Sequence, residues 1–340
     1  MEASYREDIF SQPEYLKICA EMLENGRADL EQLRGKGYKK IVFTGMGSSN
    51  YCSVTADRFL VQHGWTSFRY SAAELLYSYL NVIKEDTLLV ITSQSGESAE
   101  ILKLLKVIPS SICIVGITND PNSTLAQRSN FTFLMNVDQE KSVTTRTYMA
   151  GIAVTLFLAM GLSGFSYSYF LNGLLKVGEE MKKMLKQLET GMQDLEENAR
   201  ADLPIWVLGR GIDYGTASAG ALFLREVSRS AAIVESCGEF RHGPFEVVDE
   251  NFLGILVSTG KELHEVNKNL IRDIKMKGGK LLVISDQKDA NPTVLLPNCE
   301  MWYGQFLAII PIQLIADFLA EKKGITAGEF RWGSKITKVE

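Results

Sequence analysis

Cysteine, histidine and excess basic charge are all scarce in this 340-residue chain, and each scarcity closes off a class of function. The five cysteines, Cys19, Cys52, Cys113, Cys237 and Cys299, are scattered and form no CxxC pair. That excludes a disulfide framework and suits reduced thiols in a cytoplasmic protein. There are only three histidines, with no H-x-x-H or HExxH spacing, so no metal site is expected. Lys and Arg number 36 against 41 Asp and Glu, a net charge of −5. This lacks the clustered positive charge of bulk nucleic-acid binding, and no nucleic-acid partner is expected. No apolar run is expected to reach the ~18–20 residues of a membrane span. The N-terminal MEASYREDIFSQPEYLK is too acidic and polar for a secretory signal, so no membrane partner is expected either. The chain also lacks GxxxxGK[ST], which excludes a P-loop NTPase.

What is present is a repeat. KIVFTGMG from Lys40, TLLVITSQSG from Thr87 and SICIVGITND from Ser111 are apolar runs that end in turns, with helical spacing between them. PIWVLGRG from Pro204, LGILVSTGKE from Leu253 and KLLVISDQ from Lys280 repeat that order. Gly45 and Gly209 lie 164 residues apart, as do Gly96 and Gly260, while Asp120 and Asp286 lie 166 apart. Apolar strands alternating with helices imply parallel sheets, and the constant offset implies two copies. The expected class is therefore α/β, with two tandem doubly wound parallel-sheet domains and helices on both faces. The expected division is an N-terminal helical segment 1–34, broken near Pro13, a first domain 35–165, a connecting helix 166–200, a second domain 201–325 and a C-terminal tail 326–340.

In open α/β sheets ligands bind beyond the carboxyl ends of the strands. In the first copy those ends carry GMGSSNY and TSQSGES, with Gly47, Ser48, Ser49, Ser93, Gln94, Ser95 and Ser98. Each cluster opens a helix, whose free N–H groups favour an anion, and the glycines allow close backbone approach. Ser and Gly also make ordinary turns and N-caps. Two clusters at equivalent strand ends nevertheless favour a single phosphate site in the first copy. The second copy, with GRGIDYGTA and STGKELH at these places, is poorer in serine and is expected to do something else. A nicotinamide site is disfavoured: GxGxxG fails at Asn50, and no acidic strand end follows about 20 residues on.

These stretches, together with SAAEL, ITNDPNSTLAQRSN, GALFLREVS and ESCGEFRHGPFEVVD, resemble the sugar isomerase (SIS) domain family in its double-domain form. That form includes the isomerase half of glutamine–fructose-6-phosphate aminotransferase and the fructosamine-6-phosphate deglycases. The resemblance implies sugar-phosphate binding by Ser49, Ser93, Gln94, Ser95 and Ser98, and a sugar-lining segment at Thr144, Thr145 and Arg146. It also implies a proton-moving Glu226, a His242 that assists ring opening and is supplied across a homodimer, and a Lys335 that forms a Schiff base with the sugar carbonyl. The chain begins MEASYRED rather than with an amidotransferase domain, so glutamine-dependent synthesis is not expected, and Ala219 stands where the synthase has a second glutamate. GEFRHGP and the R-W-G near the C-terminus lean towards the deglycases, and Lys335 leans towards the synthase.

The chemistry suits these residue types. Moving a carbonyl or imine between C1 and C2 of a sugar needs one base, and a partly desolvated carboxylate such as Glu226 can serve, with Arg225 and Arg229 as solvated neighbours. His242 in its Gly-Pro turn can exchange a proton with a ring oxygen, and Glu239 can orient it or bind a hydroxyl. His63 and His264 are read as ordinary residues. Packing of Lys335 against Trp332 and Phe330 would lower its pKa and make the amine nucleophilic. No cofactor is expected. The expected substrate is a 6-phosphorylated ketosamine or amino sugar. The alternatives are an aldose–ketose isomerase without C–N cleavage, or a sugar-phosphate-binding regulator with no turnover.

Overall fold

The structure, a computed structural model, describes residues 4–138, 140, 143–190 and 202–332. Glu14–Glu140 with Thr144–Leu175 form one compact unit, and Lys176–Phe330 with the chain up to Pro13 form another, each over its described residues.

The first unit is built on β1 (Lys40–Gly45), β2 (Thr66–Ser71), β3 (Thr87–Thr92), β4 (Cys113–Thr118) and β5 (Phe131–Leu134). They pair in the order β2-β1-β3-β4-β5, and every pairing is parallel. The second unit carries β6 (Ile205–Gly209), β7 (Ala232–Ser236), β8 (Leu253–Ser258), β9 (Lys280–Ser285) and β10 (Val294–Leu295) in the order β7-β6-β8-β9-β10, again wholly parallel. Numbered from its own first strand, each sheet has the order 2-1-3-4-5, so the duplication read from the offsets is a duplication of topology. Parallel strands need crossover helices, which cover both faces, and that burial is why β3, β4 and β8 are apolar without alternation.

On one face of the first sheet, Val42, Leu89, Ile91 and Ile114 pack with Ile101 and Leu104 of the helix Ala99–Val107. The helix Arg146–Leu162 is buried along almost its whole length. In the second unit Leu208, Leu256 and Val283 pack with Phe240, Phe252, Leu270 and Ile274. The helices Asp213–Ser228 and Gly304–Lys322 pack against each other. Each such large side chain, taken fully out of water, contributes about 1.5–3 kcal/mol.

Two expectations change. The segment Met301–Lys322 is long and apolar enough to cross a membrane, with mean hydropathy 1.5, but 89% of its apolar window is buried inside the fold. The N-terminal helix Tyr5–Asn25 also runs straight through Pro13. Proline there removes the N–H that would bond the carbonyl of Ile9. The Gln12 side-chain amide donates to that carbonyl instead, at 3.0 Å, and to Gln313 Oε1 at 2.9 Å. The substitution of one donor for another keeps the helix continuous.

Candidate active site

The order β2-β1-β3 means that the chain leaves β1 to one side and returns on the other, so a crevice opens where the carboxyl ends of β1 and β3 lie side by side. Their last paired residues are Gly45 and Thr92. A Cβ on Gly45 would lie 2.7 Å from the Thr92 carbonyl oxygen and 2.8 Å from that of Ser49, so only glycine lets the loop fold back here. Gly47, with φ 53°, then turns Ser48 and Ser49 into the short helix Ser48–Tyr51.

After β3, Ser93 Oγ accepts from Gly96 N–H at 3.2 Å, and Ser95 Oγ accepts from Glu97 N–H at 3.2 Å. The Gln94 carbonyl accepts from Asn119 N–H at 2.9 Å and Thr118 Oγ1 at 3.2 Å, which ties the loop to the end of β4. Ser98 is the N-cap of the nine-residue helix Ala99–Val107, yet its side chain makes no capping bond. Its hydroxyl and the leading N–H groups of that helix form a neutral donor set suited to an anion.

A third segment joins these loops. Thr144 Oγ1 lies 3.1 Å from Ser48 Oγ. Thr145 is the N-cap of the helix Arg146–Leu162, but its own side chain does not cap it. Buried Glu140 does that work: Oε1 accepts from Thr145 N–H at 2.8 Å, Thr145 Oγ1 at 3.1 Å and Thr147 N–H at 3.0 Å, while Oε2 accepts from Thr147 Oγ1. A carboxylate at a helix N-terminus is stabilised by the dipole and the free N–H groups. Arg146 points its guanidinium at Asp138, 3.4 Å away. Glu140 and Arg69 were missed in the sequence. Arg69 donates to Asn50 Oδ1 at 3.2 Å, bracing the Ser48–Tyr51 turn from β2. Glu140 stands five residues before the N-cap, outside the usual capping-box spacing.

The second crevice, between β6 and β8, repeats the backbone and changes the chemistry. Gly209 is as tight as Gly45, with an added Cβ 2.5 Å from the Asp213 carbonyl oxygen, and Gly260 has φ +73° where Gly96 has +65°. Here the fold supplies its own acceptors. Asp213 accepts from Thr259 N–H at 2.9 Å and Thr259 Oγ1 at 2.5 Å, and Asp286 accepts from Gly260 N–H at 3.0 Å. In the first copy the loop after β3 is instead closed by serine hydroxyls, with Ser93 Oγ on Gly96 N–H and Ser95 Oγ on Glu97 N–H, so the two crevices differ in charge. Burial pushes the Asp213 carboxyl up to about 7, against the pull of the two Thr259 bonds.

The second unit instead carries Glu226, in the last turn of the helix Asp213–Ser228. Glu226 is half-buried, and desolvation raises its carboxyl to about 7, opposed by neighbouring Arg225. The expected arginine partners are occupied elsewhere: Arg225 donates to the Ala232 carbonyl at 3.3 Å and Arg229 to that of Glu329 at 3.1 Å.

His242 is exposed, on a turn closed by its N–H bond to the Glu239 carbonyl at 2.8 Å and by Gly243 at φ 117°. Ser236 Oγ accepts from Glu239 N–H at 3.2 Å, and Arg241 pairs with Asp273 at 2.8 Å, so the GEFRHGP turn is pinned at both ends. No hydrogen bond or ion pair joins Glu226, Glu239 and His242 side chains among the described residues. Lys335 lies outside the described residues, and Trp332, expected to desolvate it, is 91% exposed.

The remaining histidines are less bland than their sequence surroundings. His264 Nε2 lies 2.7 Å from Asp289 Oδ1, with Glu265 nearby. Lys268 Nζ sits 2.7 Å from the other oxygen of Asp289, so an ammonium already supplies the positive charge in this cluster. His63 stacks on Phe59. Cys19, Cys52 and Cys237 are buried, and burial pushes each thiol up to about 12, so they are poor nucleophiles.

Two parallel sheets of the same 2-1-3-4-5 order define a tandem doubly wound α/β protein. The chain belongs to the SIS domain family, whose pattern matches residues 36–160 and 199–293. It is 29% identical over 332 residues to the glutamine–fructose-6-phosphate aminotransferase (isomerizing) of Sulfolobus acidocaldarius, covering 95% of this chain and 52% of that protein. The chain spans about half the length of the curated relatives it matches. Among solved structures, the C-terminal domain of glucosamine-fructose-6-phosphate aminotransferase from Francisella tularensis superposes with a TM-score of 0.85 at 24% identity, covering 96% of this chain and 98% of that one. Glucosamine-6-phosphate deaminase from Thermotoga maritima superposes with a TM-score of 0.79 at 21% identity, covering 98% and 99%.

Proposed function

We propose that the protein is an enzyme acting on a 6-phosphorylated ketosamine or amino sugar, and that it releases an amine or ammonia and a hexose 6-phosphate. The observation that carries this reading is Glu226, a carboxyl raised to about 7 by burial on a helix of the second unit. Such a group is half-ionised at neutral pH and able both to take and to return a proton. In fructosamine 6-phosphate it removes a proton from C1, and the electron pair of that C–H bond forms the C1–C2 double bond as the C2 carbonyl oxygen gains a proton. Return of a proton to C2 restores that carbon and leaves an imine at C1. Water adds to the imine and the amine departs, giving the aldose 6-phosphate. With a 2-amino sugar the same shuttle places the imine at C2, and the ketose 6-phosphate and ammonia follow.

In this reading Gly47, Ser48, Ser49, Ser93, Gln94, Ser95 and Ser98 hold the phosphate, with Thr144, Thr145 and Arg146 along the sugar. His242, exposed on its pinned turn, opens the ring from a second copy of the chain, and Lys335 engages the carbonyl. Coupled detection of hexose 6-phosphate from fructosamine 6-phosphates, with ammonia release from glucosamine 6-phosphate, tests the proposal. Hexose phosphate interconversion without amine release would assign a simple isomerase. Ligand-induced thermal stabilisation with no product would assign a sensor. Sedimentation that gives an active monomer would remove the role of His242 across an interface.

A further inference from the structure

A cavity of about 260 Å³ lies at the end of the first unit where β1 begins, remote from the serine loops. It is lined by Arg34, Tyr38, Lys39, Trp65 and Ser163, with Gly37, Leu162 and Gly164. We infer that this cavity is a second anion site, separate from the proposed sugar site, and that it takes a phosphate group, free or as a small monoester. β1 is six residues long, so at ~3.3 Å per residue the two ends of the strand are about 20 Å apart.

Three observations carry the inference. First, among the described residues two cationic side chains line the cavity and no acidic one does. The Arg34 guanidinium rests against the bare face of Gly164, where an added Cβ would lie 3.4 Å from Nη2. Lys39 Nζ lies 5.2 Å above the Trp65 ring. The nearest carboxylate to Arg34, Glu31, is 3.8 Å away and exposed. Second, two lining residues carry buried hydrogen-bond donors with no partner among the described residues: the indole N–H of Trp65, a residue 6% exposed, and the Ser163 hydroxyl. A buried N–H left unpaired destabilises the fold, and an acceptor oxygen placed on it would recover that loss. An indole donates only, so the missing group must be an acceptor.

Third, the backbone does not already balance the charge. Helix C-termini at Gly35, Gln62 and Leu162 meet here, and their dipoles would by themselves repel an anion. Each is closed by its own turn at Gly37, Gly64 or Gly164, all with positive φ. The N–H groups of Gly37, Gly64 and Gly164 take the carbonyls of Arg34, Val61 and Gly161. One carbonyl in the last turn of each helix is thus taken locally. That leaves the cations and the orphan donors for an anion of phosphate size, which calls for several acceptor oxygens and two charges.

The test follows the orphan donor itself. In protein labelled with ¹⁵N at its four tryptophans, the Trp65 indole N–H peak is assigned by substituting the other three to Phe in turn. Inorganic phosphate, glycerol phosphate and acetate are then titrated at low salt. The expected result is a saturable shift of the Trp65 peak with phosphate or its monoester in the ~0.1–5 mM range, weakened about tenfold in the Arg34→Gln/Lys39→Gln double variant. The same shift in a Ser95→Ala variant would show that the signal does not come from the serine loops. Tighter binding of the monoester would assign a phosphorylated metabolite, and tighter binding of inorganic phosphate would assign the free ion. No saturable shift, a shift unchanged in the double variant, loss of the shift in Ser95→Ala, or acetate binding as tightly as phosphate would overturn the assignment.

Discussion

Substituting Glu226→Gln should abolish turnover and at the same time stabilise the protein, by an amount that grows as pH rises from about 4.5 through 7. The folded-state pKa of Glu226, about 7, lies above the ordinary 4.5. Between those values the folded protein holds a proton that the unfolded chain has released. The contribution of this group is therefore most favourable below about 4.5 and declines as pH rises through 7, by about 1.4 kcal/mol per unit, for a total of about 3 kcal/mol. Partial exposure of the side chain reduces this to roughly 2 kcal/mol through solvent screening. Glutamine carries no charge to desolvate. The variant should match the parent at pH 5 and exceed it by about 2 kcal/mol at pH 8 in urea denaturation. Subtracting parent from variant at each pH cancels the other titrating groups, Asp213 among them. Turnover should fall by about 10²–10⁴, and in the parent kcat/KM should rise with pH to a plateau above about 7. A variant with parental stability at both pH values and appreciable turnover would refute the reasoning, because it would make Glu226 a solvated helix glutamate.

Other expectations test the frame around the site. Gly45→Ala should destabilise by more than ~2 kcal/mol and weaken sugar-phosphate affinity, because the backbone oxygens of Thr92 and Ser49 block the added carbon; calorimetric binding with unfolding curves would check both. Glu140→Ala, which strands donors of Thr145 and Thr147, should cost about 1–3 kcal/mol for each donor left unmet. Glu140→Gln should recover part of that, read by thermal melting. Gln12→Ala should cost ~1–2 kcal/mol by freeing the Ile9 carbonyl. Adding Pro13→Ala should restore most of it by returning a backbone N–H, and a double-mutant cycle in urea would measure the coupling.

The fold was legible where burial is complete and obscure where it is not. β1, β3, β4, β6, β8 and β9 are central or nearly so, and their apolar runs stand out in the chain. β5, β7 and β10 are short or half-exposed edge strands, such as Ala232–Ser236 with only its first residue buried, and no run of apolar residues marks them. The helix through Pro13 was misread because the compensating donor is a side chain, which periodicity does not register. Serines of the first crevice were visible because glycine turns frame them. Glu140 was not, since a carboxylate that caps a helix from five residues upstream leaves no local pattern. Likewise the occupied state of the second crevice depends on Asp213 meeting Thr259, 46 positions further along.

The most direct measurement uses fructosamine 6-phosphate carrying two deuterons at C1. Cleavage of a C1–H bond followed by protonation at C2 predicts an aldose 6-phosphate with one deuteron left at C1, formed by the parent protein and not by Glu226→Gln. A ketose product that keeps both deuterons at C1, or the same aldose formed by the variant at the parental rate, would contradict the account.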